Sequence, residues 1–383
     1  MKKLNIGLLG YGTVGKAVAT LLQEQENMNL HGIFRRSGKA DESIMTDLVD
    51  DLLLNPQIDV IVEAMGGLIP AYDYIKKAIL NGKHVVTANK ALINAYGEEL
   101  NQLALTQNVS LMFSAACGGG IPFLPTMISH TTPIRKVGGI LNGTTNFIID
   151  KMEREHLSFS DALKQAQSSG YAEADPSNDL NGIDTMYKLR LALAIGMHTW
   201  IDLESIDVEG IAHLKDIDIK YFTQQKYKCR LMAYGEKTVK GFIACVEPSL
   251  VELSSLEART IENNNLTWFE NKDLQRFELS GQGAGGLPTA SNVLRDLNSM
   301  IEKTSYTLPS VMNEDQADNQ LDHQNYLIRT PIDLNSPFLE KYTGQSRVFS
   351  GVLYRTLYEV PVNEMHKEVL RLREKNEVFF ART

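Results

Sequence analysis

The sequence predicts an α/β protein in two principal domains, and two observations carry that reading. Short, continuously apolar strands alternate with helices through residues 1–135, the pattern of a mainly parallel sheet covered on both faces. The first strand, Leu4 to Leu9, runs directly into Gly10-Tyr11-Gly12-Thr13-Val14-Gly15 and then into an Ala/Val/Leu-rich helix ending near Gln25. GxGxxG between a strand and a helix marks a Rossmann-type dinucleotide-binding domain. Gly10 permits the tight turn, Gly12 lets the backbone approach a pyrophosphate, and Gly15 lets the helix pack close to the sheet. The helix N-terminus then faces the anion.

The second strand falls near Asn29 to Phe34. A cofactor with a free ribose 2′-hydroxyl usually meets Asp or Glu at this strand end, where the chain instead has Arg35 and Arg36. Two guanidinium groups suit a 2′-phosphate; a basic surface turn accounts for them as well, since Asp41 and Glu42 follow closely. Strands recur at Asp59 to Glu63, His84 to Thr87 and Val109 to Phe113, and the clearest helices are Ala71 to Leu80 and Leu92 to Leu105. Ligands of such sheets bind beyond the C-terminal strand ends, which places Thr87, Lys90 and the run Ala116 to Pro122 at the ligand edge.

The second domain, 136–320, reads as α+β. Gly138 to Asn146 puts glycines, amides and hydroxyls before an apolar helix from Phe147 to about Met152. That is a donor-rich surface suited to a small anionic or amino-acid substrate, or simply a capped turn. An amphipathic helix at 160–168 is terminated by Gly170, and the turn formers Pro176, Asn178, Asn181 and Gly182 make 171–182 an ordered loop. The next helix begins near Ile183, with Leu189, Leu191, Leu193 and Ile195 anchoring it in a core. Asp184 and Lys188 share one face of it. Taken alone they are either a surface ion pair on a capped helix or a lysine held by a carboxylate at the rim of a polar pocket, placed to move a proton.

Beyond lie a helix at Asp216 to Thr223, strands at Tyr227 to Ala233, Lys240 to Val246 and Leu274 to Ser280, and a second glycine cluster, Gly281 to Gly286. The cluster reads equally as a tight turn and as a connection brought against the cofactor; the helix after it, 289–300, returns to the first domain. Residues 321–383 form a short C-terminal extension with a strand-like VFSGVLYRTLY, one helix near Asn363 to Arg373, and VFFAR.

Composition narrows the functions. A hydrophobic fraction of 43% and a charged fraction of 22% are those of an ordinary globular protein, and the formal charge of -9 argues against nucleic acid as a partner. With no long uncharged apolar run and no cleavage-site pattern near Met1, a soluble, cytoplasmic protein without membrane association is expected. Cys117, Cys229 and Cys245 are too scattered for a disulfide scaffold, and the eight histidines show no zinc-site spacing.

Together, GLLGYGTVG at 7–15, NPQIDVIVEAMGG at 55–67, GKHVVTANKALI at 82–93, GGGIP at 118–122, GILNGTTNFI at 139–148, GYAEADPSNDLNGIDTMYKL at 170–189 and GQGAGGLPTAS at 281–291 resemble homoserine dehydrogenase. The resemblance implies interconversion of L-homoserine and L-aspartate 4-semialdehyde with NADP or NAD, in the biosynthesis of threonine, methionine and isoleucine. It implies no catalytic metal. Lys188 becomes the group exchanging a proton with the substrate oxygen, and Lys90 a second essential lysine at the nicotinamide and substrate. Glu173, Asp179 and Asp184 bind the substrate amine or orient the lysine, with Thr144 and Tyr171 in the same pocket. Cofactor contacts fall to Gly10, Gly12, Thr13, Val14, Gly15, Arg35, Arg36, Thr87, Lys90 and Gly283.

The family likeness further implies a structural Na+ or K+ on backbone carbonyls of Ser114, Cys117, Gly119 and Ile121, although the family commonly has glutamate where this chain has Ser114. It implies a homodimer paired through the second domain, and it makes 321–383 a reduced version of the small regulatory ACT domain. A related NAD(P)-dependent amino-acid or semialdehyde reductase is the alternative on the same plan. A thioester-forming enzyme would need a histidine base beside Cys117, and none is near it in sequence. A regulator that kept only cofactor binding would have lost the charges of the second domain, yet Glu173, Asp179, Asp184 and Lys188 are all present.

Overall fold

The computed structural model describes residues 3–35, 44–304 and 313–383. The chain divides into two compact units, one of Met1–Thr131, Ala194–His198 and Gly281–Asn313, the other of Thr132–Leu193, Thr199–Ser280 and Glu314–Thr383.

The first unit opens with β1 (Leu4–Leu9), α1 (Thr13–Leu22), β2 (Met28–Phe34), β3 (Met45–Thr46), α2 (Asp50–Leu53) and β4 (Val60–Glu63). It continues with α3 (Ala71–Leu80), β5 (His84–Thr87), α4 (Lys90–Thr106), β6 (Leu111–Met112) and α5 (Phe123–Ser129). The strands lie in the order β3-β2-β1-β4-β5-β6, every pairing parallel. Strand order therefore reverses beside β1, and the crevice beyond the C-terminal ends of β1 and β4 is the ligand position of a doubly wound sheet. Ile6, Leu8, Leu9, Val60, Ile61 and Val62 are fully enclosed, as strands buried on both faces must be. α1 stops at Leu22, short of the expected Gln25, and the last strand shrinks to two residues.

The second unit contains β7 (Lys136–Ile140), α6 (Gly143–Arg154), α7 (Phe159–Ser168), α8 (Ser177–Leu180), α9 (Ile183–Met197), β8 (Thr199–Ile201), β9 (Asp207–Val208), α10 (Asp216–Gln224), β10 (Tyr227–Lys237) and β11 (Phe242–Glu252). α11 (Leu256–Arg259), β12 (Asn264–Asn271) and β13 (Gln275–Gln282) follow, and α12 (Gly286–Ile301) belongs to the first unit, where it packs along α1. The last turn of α9 also clusters with the first unit. β14 (Asn313–Asp315), β15 (His323–Thr330), α13 (Pro337–Tyr342), β16 (Thr343–Phe349), β17 (Val352–Pro361), α14 (Val362–Arg373) and β18 (Phe379–Arg382) close the chain.

One sheet runs through this unit in the order β13-β12-β7-β10-β11-β18-β15-β17-β16. β7 is squeezed between β10 and β12: a Cβ on Gly139 would lie 2.0 Å from the Leu266 carbonyl oxygen, and Gly139 has φ +135. Gly235 of β10 plays a related part, since a Cβ there would meet Leu193 at 2.8 Å and Leu189 at 3.2 Å, so its absence lets α9 settle onto the sheet.

The C-terminal stretch departs from expectation. β15, α13, β16, β17, α14 and β18 make a complete βαββαβ plan, with strands ordered β18-β15-β17-β16, and what is reduced is only the first helix, six residues long. VFSGVLYRTLY is a hairpin turning at Ser350-Gly351, where both residues have positive φ. β18 pairs with β11, so residues expected to form a separate extension cluster with the second unit. No helix among the described residues is long and apolar enough to cross a membrane.

Candidate functional site

In the first unit the GxGxxG turn has the geometry its residues promised. Gly10 has φ +97, and a Cβ on Gly15 would lie 2.1 Å from the Gly10 carbonyl oxygen, so glycine is needed at both. A Cβ on Gly12 would meet nothing within 4 Å. Gly12 is the N-cap of α1 without a side-chain cap, and Gly12 and Thr13 are exposed, leaving the first N–H groups of a ten-residue helix open to an anion; Val14 follows, half-buried. These residues fit a dinucleotide pyrophosphate. The second glycine cluster comes to the same place: a Cβ on Gly286 would lie 3.0 Å from the Thr13 carbonyl oxygen, and one on Gly119 would lie 2.4 Å from the Gly283 backbone. Arg35 is exposed at the end of β2, and Arg36 lies outside the described residues.

Thr87 and Lys90 sit at the C-terminal edge of β5. Thr87 is fully buried, donating to Glu63 Oε2 at 2.5 Å and accepting from the Asn89 backbone N–H at 2.9 Å. Lys90 opens α4, half-buried, after the N-cap Asn89. Glu63 escaped the sequence reading. Its other oxygen accepts from the N–H groups of Met65 and Gly66 at 2.7 and 3.1 Å, so one buried carboxylate shapes the loop after β4 and orients Thr87. The signal was an acid ending an otherwise apolar buried strand.

In the second unit Asp184 and Lys188 form an ion pair at 2.8 Å, each side chain only 9% exposed. That removes the surface-pair reading. A buried pair is a poor device for stability, because desolvation offsets its Coulomb gain. Lys188 Nζ also donates to the Leu141 carbonyl at 2.7 Å. The next residue, Asn142, binds the group together: its Nδ2 donates to Asp179 Oδ1 at 2.6 Å and to Asp184 Oδ2 at 2.8 Å, while its Oδ1 caps α6 by accepting from Thr145 N–H at 2.8 Å. α6 therefore starts at Gly143, four residues earlier than the apolar run suggested, and Thr144 lies in its first turn. Thr144 Oγ1 donates to the Tyr171 carbonyl at 2.6 Å, and the Tyr171 ring packs on Phe147 with centroids 5.0 Å apart.

Glu173 lies on the loop between α7 and α8. It is exposed, and its backbone carbonyl accepts from Gln167 Nε2 at 3.1 Å. Asn142 is the residue sequence reasoning passed over; an Asn just before a helix-opening glycine was a readable cap, but its sharing between two carboxylates was not.

The cation positions behave differently. Ser114, Cys117, Gly119 and Ile121 are close in the first unit, but the carbonyls of Gly119 and Ile121 both accept from the side-chain amide of Asn292. Two of the four carbonyls thus already face an N–H donor. Cys117 is fully buried and unoxidised, and no group of three or more His, Cys, Asp or Glu able to hold a metal occurs among the described residues.

Comparison with known proteins points to one family. Residues 10–114 match the family model described as homoserine dehydrogenase, NAD binding domain, and residues 121–297 the model described as homoserine dehydrogenase. A homoserine dehydrogenase of Neisseria gonorrhoeae is 38% identical over 317 residues, 78% of this chain and 72% of that protein. The crystal structure of a homoserine dehydrogenase from Thiobacillus denitrificans superposes with a TM-score of 0.87 at 27% identity, covering 100% of this chain and 98% of that one. A hyperthermophilic archaeal homoserine dehydrogenase in complex with NADPH matches 80% of this chain and 100% of its own at a TM-score of 0.69 and 25% identity.

Proposed function

Because the chain belongs to the homoserine dehydrogenase family and is an NAD(P)-dependent oxidoreductase of amino-acid biosynthesis, we propose that Lys188 is the group that moves the proton as L-homoserine and L-aspartate 4-semialdehyde are interconverted. One observation carries this: a nine-tenths buried lysine held from two sides, by Asp184 and by the Leu141 carbonyl, within a cluster of carboxylates. Nicotinamide, when bound, accepts hydride from the homoserine carbon or returns it to the aldehyde. In oxidation the substrate hydroxyl must lose its proton as hydride leaves; in reduction the oxygen gains charge and then a proton. A fixed ammonium stabilises that charge and supplies the proton, and the neutral amine takes it back.

The residues assigned to the cofactor are the Gly10–Gly15 turn with Thr13 and Val14, Thr87 and Gly283, with Arg35 and Arg36 toward a 2′-phosphate. Lys90 is the second lysine of the reaction. Asp179 and Asp184, with Glu173, supply the negative charge that a substrate ammonium needs, and Thr144 and Tyr171 complete that pocket. NADP should therefore serve at least as well as NAD, and a homodimer is the assembly expected of this plan.

The test is a comparison of kcat/KM for L-homoserine oxidation with NADP and with NAD at low salt, on protein whose mass is measured by light scattering. Activity with both cofactors, at least as high with NADP as with NAD, and a species of twice the 42.7 kDa chain are the expected results. No homoserine-dependent reduction of either cofactor would refute the assignment; a clear NAD preference would refute the role of the arginines alone.

A further inference from the structure

Asn292, on α12, is fully buried. Its Nδ2 donates to the Gly119 carbonyl and, at 2.9 Å, to the Ile121 carbonyl, while its Oδ1 accepts from Arg295 Nε at 3.2 Å. These partners fix the direction of the amide, since a guanidinium only donates and a carbonyl only accepts. The nitrogen thus sits between two converging backbone oxygens, the position a monovalent ion would need.

Ser114 gives that ion no better hold. It supplies no carboxylate, and its Oγ and backbone N–H both donate to Asp296, at 2.6 and 2.9 Å. The Ser114 carbonyl accepts from Cys117 N–H at 3.3 Å. Both oxygens of the fully buried Asp296 carboxylate accept from Ser114. A hard cation is held by several oxygens together, usually with anionic help.

We propose that the Asn292 amide takes the seat of the cation, so that this chain is built to work without Na+ or K+. Two N–H dipoles do for the Gly119 and Ile121 carbonyls what a single positive charge would do. The consequence reaches further than the loop: Gly120 N–H donates to the Gln282 carbonyl at 3.1 Å, and Gly119 abuts Gly283, so the amide steadies the glycine cluster assigned to the cofactor.

The experiment measures the thermal midpoint of the full chain in NaCl, KCl and choline chloride at equal ionic strength, with sodium NMR linewidths as a direct binding readout. Wild type should unfold at one temperature in all three and leave the sodium signal unbroadened. Asn292→Ala should unfold several degrees lower in choline chloride and recover selectively in NaCl or KCl. Asn292→Asp, which keeps the size but replaces both donors with negative charge, should depend on the cation more strongly still. Selective stabilisation of wild type by Na+ or K+, or saturable sodium broadening, would overturn the proposal. So would the absence of cation-selective recovery in both variants. If neither variant folds in any salt, the wild-type measurements decide alone.

Discussion

Asn142 shows how much one side chain can organise. Its amide donates to Asp179 and Asp184, and its carbonyl caps α6, so a single residue ties together two like-charged carboxylates, one of them paired with Lys188, and starts the helix that carries Thr144. The two tasks separate in Asn142→Ser. A serine at the N-cap preserves the cap, so stability should fall by no more than about 1 kcal/mol. It offers no pair of N–H donors, so kcat/KM for homoserine should fall at least about tenfold, as expected when a positioning contact is lost. Unchanged kcat/KM in that variant would mean that the carboxylates hold their places without the amide. The individual charges were legible in the sequence because Asp184 and Lys188 are one helical turn apart. Their burial was not, since it depends on Leu141 and Asn142, more than forty positions away. The same limit hid the pairing of Ser114 with Asp296 and the seat of Asn292.

At the level of elements, local pattern placed several short elements but cut the long strands early, since β10 runs to Lys237 and β11 to Glu252, past the expected Ala233 and Val246. β1, α3 and β5 have the boundaries their residues suggest. β7 and β12 did not announce themselves. KVGGI has two glycines and low strand propensity, and NNLTWFEN begins and ends in turn-forming asparagine. Their neighbours make them strands: β7 is paired on both sides, and its glycines exist because β10 and β12 come too close for side chains. Gly139→Ala should accordingly lower stability by about 3 kcal/mol, through overpacking and a φ that alanine resists. Urea unfolding checks this, and a midpoint equal to wild type would show that β7 has more room than its contacts allow. Because β7 leads straight to Leu141, the partner of Lys188, kcat should fall with it.

Across the whole molecule the unexpected feature is the completeness of the C-terminal βαββαβ plan. The sequence suggested too few residues for it, but a six-residue α13 and a tight Ser350-Gly351 turn let all six elements fit between His323 and Arg382. Where this plan joins β11 there is a buried charge cluster. Glu247, fully enclosed, accepts from Arg382 Nη1 at 3.1 Å and from the Tyr326 hydroxyl at 3.2 Å, and pairs with His366 Nε2 at 3.1 Å. Burial alone would lower the His366 pKa, but the hydrogen bond and charge of Glu247, helped by Asp207 and Glu209, raise it above its ordinary 6.5. A histidine bound more tightly to its proton in the folded state contributes stability that is complete below the unfolded value and lost as pH rises through the folded one. Arg382 stays charged throughout, so Glu247 keeps a partner. Denaturant unfolding from about pH 6 to pH 9 should show stability declining, and His366→Gln should flatten that decline. An unchanged slope in the variant would assign the pH dependence elsewhere.

Replacing Lys188 separates a chemical role from a structural one. Methionine keeps most of the length and the apolar stem while removing the ammonium. Homoserine oxidation with NADP should be measured in Lys188→Met alongside cofactor affinity, with circular dichroism to verify folding. In that variant kcat should fall about a hundredfold or more, the scale of general acid–base catalysis, with cofactor affinity little changed. A folded Lys188→Met protein with near-normal kcat would contradict the chemical role and leave Asp184 and Lys188 as a buried structural pair.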